Sequence, residues 1–152
     1  MNIAQQIREL FEGFPFGAPC HPSDVAKAEE LLGHPLPPPL TELYLNFNGF
    51  AGPTDAAFFY PLLTPTSFSN TSLVEYTLSL RGEDYFPRFL QRAVAIGDYG
   101  VGPCWVILID TPGKILEWDG EWGDDYETLE GTLADVWEGK KEWYESVIKG
   151  RT

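Results

Sequence analysis

Residues 104–118 read CWVILIDTPGKILEW. The apolar run at 104–110 predicts a strand that is buried on both faces. The following TPGK at 111–114 is typical of a turn, and KILEW at 114–118 is typical of a partner strand. The sequence therefore predicts an antiparallel hairpin, which we expect to form the centre of the sheet.

The segments on either side of this hairpin predict one more strand and a last helix. The apolar run at 93–96 predicts a strand, and the Gly-rich segment GDYGVGP at 97–103 links it to the hairpin. Thr132 and Asp135 form a capping-box pattern for the helix, which Gly139 is expected to weaken or bend. The apolar residues on or near one face of that helix are Leu133, Val136, Trp137, Tyr144 and Val147.

The first fifty residues have helical periodicity. Asn2 is placed to cap a short amphipathic helix whose apolar residues repeat through 3–11. Ser23 is placed to cap a second helix, which Gly33 ends in a left-handed conformation.

A third helix is predicted over residues 40–47, after an extended entry through the prolines at 37–39. The apolar run at 58–63 then predicts a strand. Ser72 and Glu75 form a capping-box pattern ahead of one more short helix. We expect one core that contains Leu43, Phe47, Val106, Leu108 and Val136. The tryptophans expected to be buried are Trp105, Trp118 and Trp137.

Length and charge limit the class of protein. A chain of 152 residues with 43% hydrophobic content predicts one domain, over residues 1–152. Its net charge of −13 opposes binding to nucleic acid or to anionic lipid. There is no apolar run of about 18 residues, and the N-terminus is amphipathic, so we expect a cytoplasmic protein. Cys20 and Cys104 lie in unlike contexts, and no disulfide is expected.

Acidic residues dominate the segment 115–139, which holds nine carboxylates and no lysine or arginine. At its centre, WDGEWGDDYETLEG at 118–131 alternates acids with aromatic residues. Such a surface suits a basic protein partner. The predicted partner-binding residues are Asp119, Glu121, Trp122, Asp124, Asp125, Tyr126 and Glu127. Trp122 has two open roles: it either anchors the loop to the core or fills a pocket of the partner.

Catalytic and metal-binding interpretations of the same residues are weaker. Consecutive exposed acids lack the cleft and the unlike environments that acid–base catalysis needs. DGEWGDD at 119–125 lacks the ligand order of a calcium loop, so a solvated loop is preferred. His21 and His34 have no partners at metal spacing. We therefore predict no catalytic residues, no metal site and no cofactor.

Two segments carry a family resemblance. LGHPLPPPLTELYLNFNGF at 32–50 places a helix between a proline entry and an Asn–Gly exit, and AIGDYGVGPCWVILIDTPGKILEW at 95–118 places Ile–Gly and Gly before a strand, a turn and a strand that ends in Trp. Both resemble signatures of the SUKH superfamily, the Smi/Knr-like proteins. The matching positions are Leu36, Pro37, Leu43, Tyr44, Asn48, Gly49, Ile96, Gly97, Gly102, Asp110, Gly113 and Trp118. Two positions depart from the pattern. Phe50 stands where a glycine is usual, and Pro103 stands where a small or polar residue is usual.

The resemblance implies a fold and a range of functions. The implied fold is an α+β domain with a mixed or antiparallel sheet packed by N-terminal and C-terminal helices. Many bacterial members resemble immunity proteins that bind and neutralise a polymorphic toxin, and fungal relatives act as interaction hubs in cell-wall signalling. The leading hypothesis is thus a non-catalytic immunity protein that binds a basic toxin domain. A scaffold or regulatory module of the same fold is the alternative, and an acidic hydrolase is a distant third.

Overall fold

The computed structural model describes residues 2–148, which form an α+β fold. Within this range there are five α-helices and six strands, and the strands form a two-stranded and a four-stranded antiparallel sheet. The elements are α1 (Ile3–Leu10), α2 (Pro22–Leu32), α3 (Pro38–Asn46), β1 (Phe50–Ala51), β2 (Ala57–Phe59), α4 (Leu73–Arg81), β3 (Ala93–Asp98), β4 (Cys104–Leu108), β5 (Ile115–Trp118), β6 (Glu127–Leu129) and α5 (Leu133–Trp143).

The predicted hairpin is confirmed and lies at the centre of the larger sheet. The strand order is β3-β4-β5-β6, and the hairpin register pairs Cys104 with Trp118 and Ile107 with Ile115. Because side chains alternate along a strand, Trp105 and Trp118 point to opposite faces. Both are buried, so the sheet is covered on its two sides.

Different elements cover the two faces. On the Trp118 face, the ring of Phe86 packs edge-on at 5.1 Å, and Thr77 of α4 accepts a hydrogen bond from the backbone N–H of Ala95 at 3.0 Å. On the Trp105 face, Phe58 of β2 packs edge-on at 5.2 Å.

The predicted core is confirmed. Leu43, Phe47 and Val106 are fully buried, and Leu108 and Val136 are partly buried against the same cluster. Trp137 is also fully buried, and its ring lies 5.0 Å from Phe50 and 5.4 Å from Phe59.

The Asn48–Gly49 exit of α3 has a specific geometric role. Gly49 has φ +81°, and a Cβ there would lie 2.5 Å from the carbonyl oxygen of Phe59, so only glycine fits. The Asn48 side chain accepts a hydrogen bond from the N–H of Leu62 at 2.7 Å. The next residue, Phe50, is fully buried and its ring contacts Phe11 at 4.7 Å, which explains a large side chain where glycine is usual.

Three predicted boundaries were wrong. The cap of α2 is His21, whose Nδ1 accepts from the N–H of Ser23, because Pro22 already occupies the first turn. Pro38 and Pro39 belong to α3, where the missing N–H of proline costs little, and only Pro37 is extended. Instead of spanning 58–63, β2 ends at Phe59, since Pro61 has no N–H and the Leu62 N–H is bonded to Asn48.

The other predicted helices are confirmed. Asn2 caps α1, Ser72 caps α4, and Thr132 with Asp135 forms a capping box on α5. The C-terminal helix continues through Gly139 without a break.

Candidate protein-binding face

The predicted partner-binding residues lie at one edge and one end of the larger sheet, where β5 leads into β6. Asp119 is half-buried, and Glu121, Asp124, Asp125, Tyr126 and Glu127 are exposed. The structure brings these residues together on one short segment, and their role in binding stays a prediction. We call this segment, residues 119–127, the acidic loop.

The acidic loop has a defined conformation. Asp119 caps a 3-10 turn, Gly120–Trp122, by accepting from the N–H of Glu121 at 3.0 Å. The indole N–H of the buried Trp118 donates to the carbonyl of Gly123 at 2.8 Å. These bonds hold the backbone of the loop against a core tryptophan, and an ordered backbone lowers the entropy cost of binding for any partner.

Trp122 is half-buried in this turn. Its backbone N–H donates to the carbonyl of Asp119 at 2.9 Å, and its carbonyl accepts from the N–H of Asp125 at 3.2 Å. These bonds fix the backbone and leave part of the ring exposed, so the ring remains a candidate contact for a partner.

A second loop, residues 83–89, extends the face, and our sequence analysis missed it. Phe89 packs edge-on against Tyr126 with ring centroids 4.9 Å apart, and Phe86 packs against Trp118. Tyr85 is 79% exposed and Tyr126 is 47% exposed, so two large aromatic rings face solvent beside the acids. The signal in the sequence is EDYF at 83–86, where two acids precede a tyrosine as they do in DDY at 124–126 of the acidic loop.

Strand β6 was also missed by our sequence analysis. It pairs with β5 through Glu127 opposite Glu117, Thr128 opposite Leu116 and Leu129 opposite Ile115. It forms an outer strand of the sheet, and its exposed acid, Glu127, disfavours edge-to-edge pairing with another chain. The same charge is available to a basic partner.

Glu117, although part of the acidic run, does not belong to the exposed face. It is 6% exposed, accepts a hydrogen bond from the indole N–H of Trp105 at 3.2 Å and lies 3.9 Å from the ammonium of Lys140. Burial raises the pKa of its carboxyl, and the Lys140 charge opposes that shift. Lys140 also lies over the ring of Tyr99 at 4.0 Å, so this carboxylate and this lysine link α5 to the sheet.

The cysteine and histidine side chains of the described residues have structural surroundings. Burial raises the pKa of Cys20 to about 11 and that of Cys104 to about 12, so both thiols stay protonated at neutral pH and are poor nucleophiles. His21 serves as a helix cap, and the Nε2 of His34 lies 2.7 Å from the guanidinium of Arg81. Over residues 2–148, no group of three His, Cys, Asp or Glu side chains is arranged to hold a metal ion.

The structure defines an α+β protein whose hairpin and Asn48–Gly49 turn match the segments that resemble the Smi/Knr-like signatures. The chain belongs to the SMI1/KNR4 family (SUKH-1), whose family model matches residues 19–145. A search of curated proteins found no match. Among the described residues, no helix has the length and apolar character needed to cross a membrane.

Proposed function

We propose that this protein is an immunity protein that neutralises a cognate basic toxin domain by stoichiometric binding. The observation that carries the proposal is the exposed acidic and aromatic face, formed by the acidic loop and residues 83–89, on a chain of the SMI1/KNR4 family. The family includes immunity-type proteins. The proposal includes a cytoplasmic location and no catalytic activity of the protein's own.

The negative charge of the face indicates the kind of partner that it would bind. The protein has 10 basic and 23 acidic residues, and the acidic loop itself holds five carboxylates and no lysine or arginine. A toxin domain that acts on nucleic acid needs a basic surface, and an acidic inhibitor covers that surface directly. Opposite charges also accelerate encounter, which suits an inhibitor that must act before its toxin reaches a target.

Aromatic side chains at this face add to the effect of its charge. Tyr85 and Tyr126 are exposed, and Trp122 is half-buried. Aromatic side chains of this kind supply much of the binding energy at protein interfaces. We therefore assign fast association to the carboxylates and slow dissociation to the aromatic rings.

The test begins with a search for a toxin gene adjacent to this gene, and association and dissociation kinetics with the toxin domain that it encodes then test the proposal. Asp124→Lys with Asp125→Lys changes the net charge from −13 to −9, because each reversal adds two charges. We expect association to slow by about tenfold at low salt and to lose most of its salt dependence. Trp122→Ala should instead accelerate dissociation, at a cost of about 2 kcal/mol.

A matched control separates local steering from overall charge. Glu12→Lys with Glu42→Lys makes the same change in net charge on exposed positions of the helical half of the chain. Equal slowing by the control and by the face variant would contradict a specific face. Tight binding that leaves the toxin active would instead indicate a scaffold of the same fold.

A further inference from the structure

A polar pocket lies near the acidic loop, and none of its lining residues belongs to that loop. Its volume is about 480 Å³, within the usual range for ligand sites. It is formed by the turn at 55–57, by the loop at 66–71, and by the side chains of Tyr60 and Asp98. No lysine or arginine lines it among the described residues.

Asp98, at the end of β3, is held in a fixed position in this pocket. Its Oδ2 accepts from the hydroxyl of Tyr60 at 2.6 Å, and its Oδ1 accepts from the N–H of Gly100 at 2.8 Å. Tyr60 is 1% exposed, and burial next to Asp98 holds its pKa well above the usual range, so its hydroxyl keeps the proton. Each carboxylate oxygen keeps a free lone pair for a donor that enters the pocket.

The loop at 66–71, which forms another part of the pocket wall, is held by hydrogen bonds within the loop. Thr66 and Ser69 exchange backbone hydrogen bonds of 3.1 and 3.3 Å, and the Ser69 hydroxyl donates to the carbonyl of Thr71 at 2.8 Å. The hydroxyl oxygen of Thr66 is buried and has no hydrogen-bond partner among the described residues. This oxygen is closed off from solvent, so it is not an acceptor for a ligand in the pocket.

The pocket's second carboxylate belongs to Asp55, at the tip of the β1–β2 turn. Asp55 is exposed and has φ +67°, the one positive φ outside glycine among the described residues. Aspartate and asparagine tolerate this conformation better than other side chains. Half-buried Phe68 lines the same pocket and offers an aromatic surface.

We propose that this pocket receives an arginine side chain of the protein partner. Two carboxylates, neutral hydroxyl acceptors and one aromatic ring match the planar guanidinium group, which has five donors and stacks on aromatic faces. A divalent cation fits less well, because the described residues offer no third acidic, His or Cys ligand at the site.

The position of the pocket is compatible with one continuous interface. Asp98 pairs with Cys104, and Cys104 pairs with Trp118, which precedes the acidic loop. Two strand spacings separate Asp98 from Trp118, roughly 10 Å. A partner that covers the acidic loop can therefore place an arginine in the pocket. That the arginine belongs to a protein partner rests on the proposed function. That the pocket binds a guanidinium group does not depend on it.

The pocket can be tested without a toxin. The probe is the capped tripeptide acetyl-Gly-Arg-Gly-amide, titrated into the ¹⁵N-labelled full chain and followed by amide chemical shifts, with the citrulline peptide as the uncharged control. We expect saturable shifts at residues 55–57, 66–71 and 98–100, with a Kd on the order of 1 mM. The citrulline peptide should bind about tenfold more weakly, because it lacks the charge.

Variants locate the binding site. Asparagine at position 55 keeps the backbone conformation, and Asp98→Asn keeps an acceptor for Tyr60, so both variants should fold. The variants Asp55→Asn and Asp98→Asn should each raise the Kd of the arginine peptide about fivefold to tenfold. Glu42→Gln, an exposed change on α3 outside the pocket, should leave the affinity unchanged. Equal binding of the two peptides, or shifts confined to the acidic loop, would overturn the proposal. A positive result stands even if no toxin is found, so the pocket and the proposed function can fail separately.

Discussion

Gly97→Ala should disrupt the junction between β2 and β3. A Cβ at Gly97 would lie 1.9 Å from the carbonyl oxygen of Phe58 and 2.4 Å from its carbonyl carbon. Real Cβ contacts stay beyond 3.0 Å, so the two backbones must separate by at least about 1.1 Å. Such a shift would also break the hydrogen bond from the N–H of Tyr60 to the carbonyl of Ile96, now 2.8 Å.

The magnitude follows from these two effects. Overpacking costs about 1 to 3 kcal/mol and a lost buried hydrogen bond about 1 kcal/mol more. We therefore expect Gly97→Ala to lower the free energy of unfolding by about 3 kcal/mol, a large part of the stability of a typical domain. Urea denaturation followed by tryptophan fluorescence measures this change.

Gly139→Ala provides the matched control. No atom lies within 4 Å of a Cβ at Gly139, and the residue is inside α5, so alanine should stabilise the protein by up to about 1 kcal/mol. If Gly97→Ala unfolds at the same urea concentration as the native chain, the backbones of β2 and β3 do not approach each other as closely as the structure places them.

Three further predictions concern the core, a buried carboxyl and the thiols. Leu43→Ala should cost about 2 to 5 kcal/mol in denaturation experiments, because Leu43 is fully buried. Burial raises the folded pKa of Glu117, so its contribution to stability is complete below its ordinary pKa of 4.5 and is lost as the pH rises through the folded value. Glu117→Gln should therefore gain stability relative to the native chain as the pH rises above 4.5 in urea denaturation, and a difference that does not change with pH would contradict this. Because burial raises the pKa of both thiols, Cys20 and Cys104 should react slowly with iodoacetamide at pH 8 until the chain unfolds. Mass spectrometry measures the labelling, and labelling of the native protein at the rate of a free thiol would refute this prediction.

The elements that could be predicted are those whose sequence pattern lies within a short run of consecutive residues. The hairpin carries its apolar run and its turn within fifteen consecutive residues, and each strand is buried, so the pattern alone sufficed. The α5 capping box is likewise a contact between residues three positions apart. The helix caps failed only at His21, where the proline at the next position moved the start of α2.

Elements that depend on distant partners could not be predicted in this way. Strand β6 has three residues that are mostly exposed, and its strand conformation comes from pairing with β5. The pocket around Asp98 is assembled from three separated segments, and Glu117 is drawn inward by Trp105 and Lys140. For the candidate face, the acids of residues 119–127 were predictable from composition, whereas the contact between Phe89 and Tyr126 joins segments 37 residues apart.

If the proposed function holds, the arrangement of strands would let one surface combine the attraction of a partner with its selection. The acidic loop follows β5, and Asp98 ends β3, at the same end of the sheet. Carboxylates on the exposed loop act at long range, where salt screens them, whereas the half-buried Asp98 acts only on a group that enters its pocket. A basic partner would thus be attracted by the loop without regard to its detailed shape, and then selected by whether it places an arginine next to Asp98. Under the same proposal, relatives that keep the sheet but change the acidic loop and the pocket loop at 66–71 would keep the fold and recognise different partners.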